Sequence, residues 1–382
     1  MSTPTTLSSF QEIPVVDVSG LYGTAEEQRA VAAELGKAAR EVGFLYVTGS
    51  GVSQGLFDDL LAATKQFFAL PLEEKMQVYI GNSSNHRGYV PTGEEGEYLA
   101  AAQAAPDQKP PDLKEAFDLS LELPADDPDY LAGNPMVGPN HWPDLPGMAE
   151  TVNRYYDAVL AFGKVLLQGF ALALGEPAGC FDAMVTKAPS QLRLIHYPYD
   201  PQPTDAIGIG AHTDFEVFTL LKPTKPGLEV LNGAGAWIDA PPMDDAFIVN
   251  IADMLEIWSN GAFVSTTHRV RKVAEERYAF PLFFNVDYDV LVAPLERFAR
   301  LDGTDKVALR AGEHLYAQTV QVFKYLQKRL AEGEISMPEV WVEKNSFGRE
   351  AELSREAELS REAELSREAE LSRERQEAGI NG

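Results

Sequence analysis

Two histidines and one aspartate carry the clearest chemical signal in this sequence. His212 and Asp214 are separated by one threonine, and His268 follows later in the chain. Two neutral imidazoles and one carboxylate occupy one side of a metal ion and leave other positions open, which suits non-haem Fe(II) reacting with O2 better than closed structural zinc. The sequence therefore predicts an iron site. Alternation along a strand would place His212 and Asp214 on one face, with His268 on a separate strand.

An arginine and a tyrosine predict an anion-binding group beside this metal. Arg277 lies in an apolar segment, where a guanidinium can hold a carboxylate through two parallel hydrogen bonds. Tyr197 is expected to add a hydroxyl to the same carboxylate. Arg193, on the same predicted strand as Tyr197, is a further candidate for binding the co-substrate, and an ion pair with a nearby acid is the alternative for it.

Short apolar segments between residues 190 and 295 must position these side chains. The predicted strands are 192–197, 218–221, 228–231, 246–251, 263–270 and 278–286. Asn232-Gly233 and Asn260-Gly261 are typical of two-residue hairpin loops, whose central residues need positive φ. Many short strands with evenly spaced turns predict an all-β sandwich or barrel.

Helical periodicity flanks this β region. The first part of the chain predicts strands at 13–19 and 42–47 and helices at 24–41 and 53–69, followed by an ordered, turn-rich loop from 84 to 145. A closing helix at 308–331 is expected to pack on the outside of the barrel. A long helix at 148–174 carries one apolar face, formed by Val152, Tyr155, Val159, Phe162, Leu166 and Phe170.

These patterns divide the chain into three predicted regions. Residues 1–125 form a mixed α/β region, and residues 126–348 hold the long helix, the β core and the closing helix. Residues 349–382 form an acidic tail in which Arg-Glu-Ala-Glu-Leu-Ser occurs four times. Six-residue spacing puts successive leucines on different helix faces, so no coiled-coil seam forms. We expect a helical or disordered extension, with partner binding as the alternative.

Composition excludes several classes of partner. The net charge of −26, from 58 acidic and 32 basic side chains, argues against nucleic-acid binding. The N-terminus has no signal-peptide pattern, and no uninterrupted apolar stretch reaches membrane-span length. The single cysteine, Cys180, cannot form an internal disulfide and is expected to be structural rather than nucleophilic. These features predict a cytoplasmic protein without a membrane partner, and a monomer is the default expectation.

Other polar and aromatic residues are assigned by their place in the sequence. The remaining histidines, which lack partners at ligand spacing, are expected to be structural: His86, His141, His196 and His314. Candidate walls of a substrate cavity are Phe215, Leu282 and Phe283, since reactive oxidants need a dry enclosure. Glu94, in the loop after Val90-Pro91, is a weaker candidate for contacting substrate, as is the adjacent Glu95.

Ordered motifs over residues 10 to 348 carry a family resemblance. They include IPVVDVSGL, GFLYVTGSGV, RGYVP, KEAFDL, LRLIHYP, GAHTDFEVFTLL, VNIADMLEIWSNG, STTHRV and ERYAFPLFF. The chain thereby resembles the Fe(II)- and 2-oxoglutarate-dependent oxygenases, in the branch similar to isopenicillin N synthase. The resemblance implies a mainly β protein with flanking helices and a double-stranded β-helix, or jelly-roll, core. It also implies that Arg277 and Tyr197 hold the distal carboxylate of 2-oxoglutarate, and that O2 oxidises a small-molecule substrate with release of succinate and CO2.

Two departures from the family pattern leave alternatives open. Arg277-Tyr278-Ala279 stands where Arg-x-Ser is common, and Ile195 stands where an asparagine is frequent. Losing one hydrogen bond to a charged group weakens binding by about 1.5 to 3 kcal/mol. The alternative is therefore an isopenicillin N synthase-like oxidase that works without 2-oxoglutarate. A non-catalytic binding module is a third possibility, which failure to take up Fe(II) would favour. Hydroxylation, desaturation and cyclisation are equally compatible with the motifs.

Overall fold

The computed structural model describes residues 8–96, 114–199, 207–271, 274–301 and 305–338. The repeat tail predicted for 349–382 lies outside the described residues. The strands of the described part are β1 Val15–Asp17, β2 Phe44–Thr48, β3 Gly88–Val90, β4 Glu115–Leu119, β5 Gln191–Tyr197, β6 Ile207–His212, β7 Phe218–Pro223, β8 Leu228–Leu231, β9 Trp237–Asp239, β10 Phe247–Ile251, β11 His268–Arg271, β12 Arg277–Phe284, β13 Leu291–Val292 and β14 Leu309–Arg310.

The strands form two facing sheets and a small ribbon. Within the described residues, the large sheet has the order β1-β2-β10-β7-β12-β5-β4-β3, the small sheet has the order β6-β11-β8-β9, and β13 pairs with β14. An apolar cluster joins Ile195 and Ala279 of the large sheet to Val230 and Val270 of the small one. The two sheets therefore enclose an interior between them, and strand alternation gives each strand an inner and an outer side.

Helices surround the two sheets. They are α1 Ala25–Glu41, α2 Gln54–Phe68, α3 Leu72–Met76, α4 Pro128–Leu131, α5 Met148–Ala173, α6 Asp253–Trp258, α7 Ala311–Val322 and α8 Lys324–Ala331, with short 3-10 segments at Ser19–Tyr22, Ile80–Asn82, Ala178–Met184 and Glu296–Phe298.

The long helix α5 is the main support of the large sheet. Its predicted apolar face, from Val152 to Phe170, is fully buried. That face packs against Phe218, Leu220 and Phe284, which point outward from the sheet. By length and hydropathy α5 could cross a membrane, but half of the apolar window is buried in the protein, as in a core helix. At about 25 cal/mol per Å² of buried apolar surface, this packing is a principal source of stability.

The turn-rich interpretation of residues 84–145 was wrong in part. The described residues of this region include β3, β4 and α4, and both strands extend the large sheet beyond β5. All five residues of strand β4, with sequence EAFDL, are buried. The hydropathy pattern does not indicate this burial, because Glu115 and Asp118 are charged. Ion pairing makes that burial possible, and a hydropathy pattern does not register it. Strand β9 was also missed, whereas β6 lies where a strand carrying His212 was expected.

Both Asn-Gly dipeptides form turns, but neither makes a two-residue hairpin loop. Asn232 and Gly233 lie in the longer loop between β8 and β9, where the Asn232 side chain accepts hydrogen bonds from two backbone amides of the loop. Asn260 and Gly261 do have positive φ, of 51° and 84°. They follow α6 and end that helix, because the left-handed conformation terminates helices as well as hairpins.

The predicted closing helix is two helices, and its expected place was wrong. Phe323 has extended backbone angles and separates α7 from α8. Val320, Phe323, Tyr325 and Leu326 join the apolar cluster between the sheets. The C-terminal helices therefore close over the interior of the β core instead of packing on its outside.

Candidate metal centre and co-substrate pocket

The three predicted metal ligands converge in the interior. One ligand atom from each of His212, Asp214 and His268 lies within 4.8 Å of the others, and this is the one such group found among the described residues. The Nε2 atoms of His212 and His268 lie 3.5 and 3.6 Å from Oδ1 of Asp214. These separations fit three donors arranged around a single ion.

Backbone carbonyls set the orientation of both imidazoles. Nδ1 of His212 lies 2.7 Å from the carbonyl oxygen of Gly210, and Nδ1 of His268 lies 3.2 Å from that of Thr266. A carbonyl oxygen only accepts, so Nδ1 carries the proton in each ring. The lone pair of each Nε2 then faces Asp214, which is the tautomer a metal requires.

The two oxygens of the Asp214 carboxylate have different partners. Its Oδ2 accepts hydrogen bonds from Oγ1 of Thr219, at 2.5 Å, and from Nδ2 of Asn250, at 2.8 Å. Oδ1 is left facing the two imidazoles. Burial alone would raise the pKa of Asp214, but His268 and His212 in their charged form, together with these two hydrogen bonds, bring the pKa below its ordinary value. The residue is therefore an anion suited to a cation at Oδ1.

Sequence reasoning missed Thr219 and Asn250. Each is a polar residue inside an apolar strand, in Phe218–Pro223 and Phe247–Ile251 respectively. A buried polar side chain in such a strand needs a hydrogen-bond partner. That requirement was the available signal, although it does not say which group the partner is.

Local backbone geometry differs from the predicted strand alternation. Strand β6 ends at His212, and β11 begins at His268, directly opposite it in the antiparallel register. Asp214 lies beyond the end of β6, where its carbonyl oxygen accepts from the backbone N–H of Asp253. The histidines meet through strand pairing, and Asp214 reaches them because the chain turns after β6.

The predicted carboxylate anchor is buried, and no carboxylate of the described residues pairs with it. Arg277 on β12 pairs with Tyr197 on β5, and its guanidinium carbon lies 4.7 Å from the centre of the Tyr197 ring. Nε of Arg277 donates to the carbonyl oxygen of Lys225, at 3.2 Å. Among the described residues, Nη1 of Arg277 and the hydroxyl of Tyr197 have no hydrogen-bond partner. Burial lowers the pKa of the guanidinium, although Tyr197 partly offsets this effect, and a bound anion would stabilise the charged form.

Arg193 adopts the ion-pair alternative, which corrects its assignment to the co-substrate. Its Nε and Nη2 bind both oxygens of Asp118, at 2.7 and 2.6 Å, and Nη1 bonds Glu95. Lys114 also binds Glu95, at 2.5 Å. Burial would lower the pKa of Arg193, but Asp118 and Glu95 raise it. Since the guanidinium is matched by two carboxylates, it offers no free charge to a further anion.

Glu94 also has a structural task, so its predicted contact with substrate is corrected. One carboxylate oxygen accepts from the hydroxyl of Tyr79, at 2.9 Å, and the other from the backbone N–H of Tyr325, at 2.9 Å. The second bond satisfies an amide at the start of α8. Glu94 therefore attaches the loop after β3 to the C-terminal helices.

The candidate wall residues divide by strand face. Phe283 is half-buried and shares the inner face of β12 with Arg277, and Phe215 is half-buried next to Asp214. Leu282 is one position from Phe283 and points the other way, into the core beneath α5. Phe215 and Phe283 thus lie on the side of the large sheet that holds the predicted metal ligands, whereas Leu282 is corrected to a packing residue.

The histidines and the cysteine that were predicted to be structural have contacts away from the metal ligands. His86 bonds the hydroxyl of Tyr325, at 2.7 Å, and His196 lies between Glu115 and Glu276. His314 is fully buried. Burial raises the pKa of Cys180 to about 11, which disfavours the reactive thiolate.

Comparison with known families agrees with this geometry. Residues 13–145 match the family described as non-haem dioxygenase in morphine synthesis N-terminal, and residues 188–286 match the 2OG-Fe(II) oxygenase superfamily. A homoarginine-6-hydroxylase of Oryza sativa subsp. japonica is 34% identical over 338 residues, covering 83% of this chain and 99% of the relative. The 2-oxoglutarate-dependent dioxygenase tropC of Talaromyces stipitatus is 33% identical, covering 82% and 98%.

Solved structures agree as well. A full-length Neurospora crassa protein, solved in complex with alpha-KG and thymine, has a TM-score of 0.69 and 26% identity, covering 87% of this chain and all of that one. A 2OG-Fe(II) oxygenase family protein from Caulobacter crescentus has a TM-score of 0.69 and 30% identity, covering 85% and 99%. The chain belongs to the 2OG-Fe(II) oxygenase superfamily.

Membership confirms several predictions. The jelly-roll fold class is confirmed, as is the function of a 2-oxoglutarate-dependent dioxygenase that uses Fe(II) and O2 and releases succinate and CO2. An oxidase that works without 2-oxoglutarate is not favoured, because the relatives are named 2-oxoglutarate-dependent enzymes. A small-molecule substrate is consistent with the thymine bound in the Neurospora crassa protein.

Proposed function

We propose that His212, Asp214 and His268 bind Fe(II) and that Arg277 and Tyr197 bind the distal carboxylate of 2-oxoglutarate. The observation that carries this proposal is that two incomplete sites share one interior. Three ligand atoms converge there, and Nη1 of the buried Arg277 and the hydroxyl of Tyr197 have no hydrogen-bond partner among the described residues. An unpaired buried charge is strongly destabilising in a purely structural role.

The residues of the proposed site have distinct roles in the proposed reaction. Bound iron and 2-oxoglutarate supply the activation of O2 that oxidises a substrate C–H bond. Thr219 and Asn250 hold Asp214 so that Oδ1 faces the metal, and the two backbone carbonyls hold the imidazoles. Arg277 fixes the distal end of the co-substrate, and Phe215 and Phe283 exclude water from the reacting side.

The substrate is proposed to be a small polar metabolite that is hydroxylated. Homoarginine is the first compound to test, because homoarginine-6-hydroxylases are among the relatives that match nearly full length. The strongly acidic composition supports a protein that acts in the cytoplasm without a nucleic-acid or membrane partner, and we propose a monomer.

Anaerobic titration tests the ligand assignment first. Adding Fe(II) and then 2-oxoglutarate to the purified chain should produce a weak visible charge-transfer band. The His268→Ala variant should lack this band, while His141→Ala, which changes a histidine outside the centre, should retain it. A wild-type band that survives in His268→Ala would contradict the assignment.

Turnover tests the reaction itself. With O2 and a panel of amino acids including homoarginine, succinate should form in proportion to oxygen consumed and to oxidised substrate. Stimulation of succinate release by one compound identifies the substrate class. Substrate oxidation that depends on iron and produces no succinate would contradict the proposed chemistry.

A further inference from the structure

A cavity lies between α2, α5 and the outer face of the large sheet. Its volume is about 210 Å³, several times the ~30 Å³ that one water occupies in the liquid. The lining residues that matter here are Ser50, Ser53, Phe57, Tyr155, Lys222 and Asp245.

Strand alternation places this cavity on the side opposite the metal centre. Thr219 on β7 points inward, because its hydroxyl bonds the metal-side residue Asp214. Lys222 is three positions further along the same strand and therefore points outward. Asn250 and Phe247 on β10 show the same division, since Asn250 also bonds Asp214. A ligand in the outer cavity would not touch the proposed iron site.

A half-buried cation lies in the wall of the cavity. The ammonium of Lys222 lies 5.7 Å from the ring centres of both Phe57 and Phe247, and it donates to the carbonyl oxygen of Ala246, at 2.9 Å. Burial lowers the pKa of Lys222, although Asp245 partly offsets this effect. An anion in the cavity would stabilise the charged form.

A buried hydroxyl without a partner lines the same cavity. Tyr155 on α5 is 1% exposed, and within the described part of the chain its hydroxyl has no hydrogen-bond partner. A buried hydroxyl is destabilising unless it is bonded. Because Tyr155 and Lys222 line the same cavity, a ligand bound there could provide the missing hydrogen-bond partner of the Tyr155 hydroxyl.

The N-terminus of α2 provides a third group of donors. Ser53 caps this 15-residue helix by accepting from the backbone N–H of Leu56, at 3.4 Å. The first amides of a helix have no intrahelical partner, and the helix dipole favours negative charge there. Ser53 and Gln54 both line the cavity, so this end of the helix faces it.

We propose that the cavity binds a small oxyanion, a phosphate or a carboxylate group, between Lys222, the Tyr155 hydroxyl and the first turn of α2. The exposed Asp245, which also lines the cavity, disfavours ligands of higher negative charge. This site is distinct from the proposed co-substrate anchor at Arg277, on the other side of the sheet.

Calorimetric titration of the full chain tests this site. The protein is loaded anaerobically with Fe(II) and 2-oxoglutarate, so that Arg277 is already occupied, and is titrated with inorganic phosphate and, separately, with acetate. We expect saturable binding of at least one anion. Lys222→Gln and Tyr155→Phe should each weaken it by about tenfold, and Asp245→Asn should strengthen it. Lys164→Gln, which removes an exposed lysine on α5, should bind as wild type does.

The outcomes separate the ligand classes. Binding of phosphate alone assigns the site to phosphorylated compounds, and binding of acetate alone assigns it to carboxylates. Succinate formation by Lys222→Gln and Tyr155→Phe should match wild type, which shows that both variants are folded. Absence of saturable binding by either anion, or equal binding by wild type, Lys222→Gln and Tyr155→Phe, would overturn the proposal.

Discussion

Arg193 is largely buried and Arg277 is fully buried in the described β core, and their surroundings are opposite. Arg193 is bonded to two carboxylates, those of Asp118 and Glu95. Arg277 lies on the neighbouring strand β12 beside a backbone carbonyl and an aromatic ring, and one of its terminal nitrogens has no partner among the described residues.

The contacts of Arg193 are those of a structural arginine, and those of Arg277 support its proposed role in binding a ligand. Two charges of each sign around Arg193 compensate one another locally, so that cluster is complete in the folded chain. Arg277 has a positive charge with no matching carboxylate among the described residues. A bound anion would therefore balance this charge and satisfy the remaining N–H donors. The two arginines therefore differ mainly in their hydrogen-bond partners and not in their burial.

The largest expected effect is on stability, from replacing the paired arginine. Arg193→Met leaves Asp118 and Glu95 buried without their main cation, so the free energy of unfolding should fall by about 3 to 5 kcal/mol. Arg277→Met is the matched control and should be no less stable than wild type in the absence of 2-oxoglutarate. Urea unfolding of both variants measures this difference, and equal losses would remove the distinction between the two arginines.

The next largest effect is on co-substrate binding, and here replacing Arg277 should matter more than replacing Arg193. Arg277→Met loses charge-assisted hydrogen bonds to a carboxylate, so the KM for 2-oxoglutarate should rise by about 100-fold. A conservative change of the hydroxyl, Tyr197→Phe, should raise it less. Steady-state succinate formation at varied 2-oxoglutarate gives these values. An unchanged KM in Arg277→Met would show that the co-substrate carboxylate binds elsewhere.

Acid titration sharpens the description of the paired cluster. Burial would raise the pKa of Glu95, but Arg193 and Lys114 lower it to about 2. Because the folded pKa lies below the ordinary value, the contribution of Glu95 is present above about pH 4.5 and is lost as the pH falls towards 2. The stability difference between wild type and Glu95→Gln should therefore shrink between pH 7 and pH 3. Urea unfolding measures it, and a difference independent of pH would contradict the ion-pair account.

The smallest predicted effect concerns the residue that departs from the family pattern. Ala279 shares the inner face of β12 with Arg277, where relatives of this type commonly have serine. Ala279→Ser should lower the KM for 2-oxoglutarate by up to about tenfold, since it adds one hydrogen bond to a charged group. Ala116→Ser, on the inner face of β4, is the control and should have no such effect. A higher KM in Ala279→Ser would indicate that the hydroxyl is misplaced.

Much of the fold could be predicted because burial and periodicity agree there. The apolar face of α5 and the apolar strands β7, β8, β10 and β12 have patterns that local sequence displays directly. Strand β4 could not be recognised in this way, since Asp118 is buried through an ion pair with a residue far along the chain. Long-range charge pairing leaves no periodic trace in sequence.

By itself the sequence determined the identity of the proposed metal ligands and of the anion anchor, because few residue types supply these chemistries and each lay in a recognisable motif. Tertiary structure decided that Arg193 is matched by two carboxylates and that Arg277 is not matched by a carboxylate of the described residues, since this depends on the partners that strand pairing brings to each arginine. It also decided that Thr219 and Asn250 hold Asp214 and that Glu94 attaches to α8. Such contacts join residues distant in the chain, and only the folded arrangement of strands specifies them.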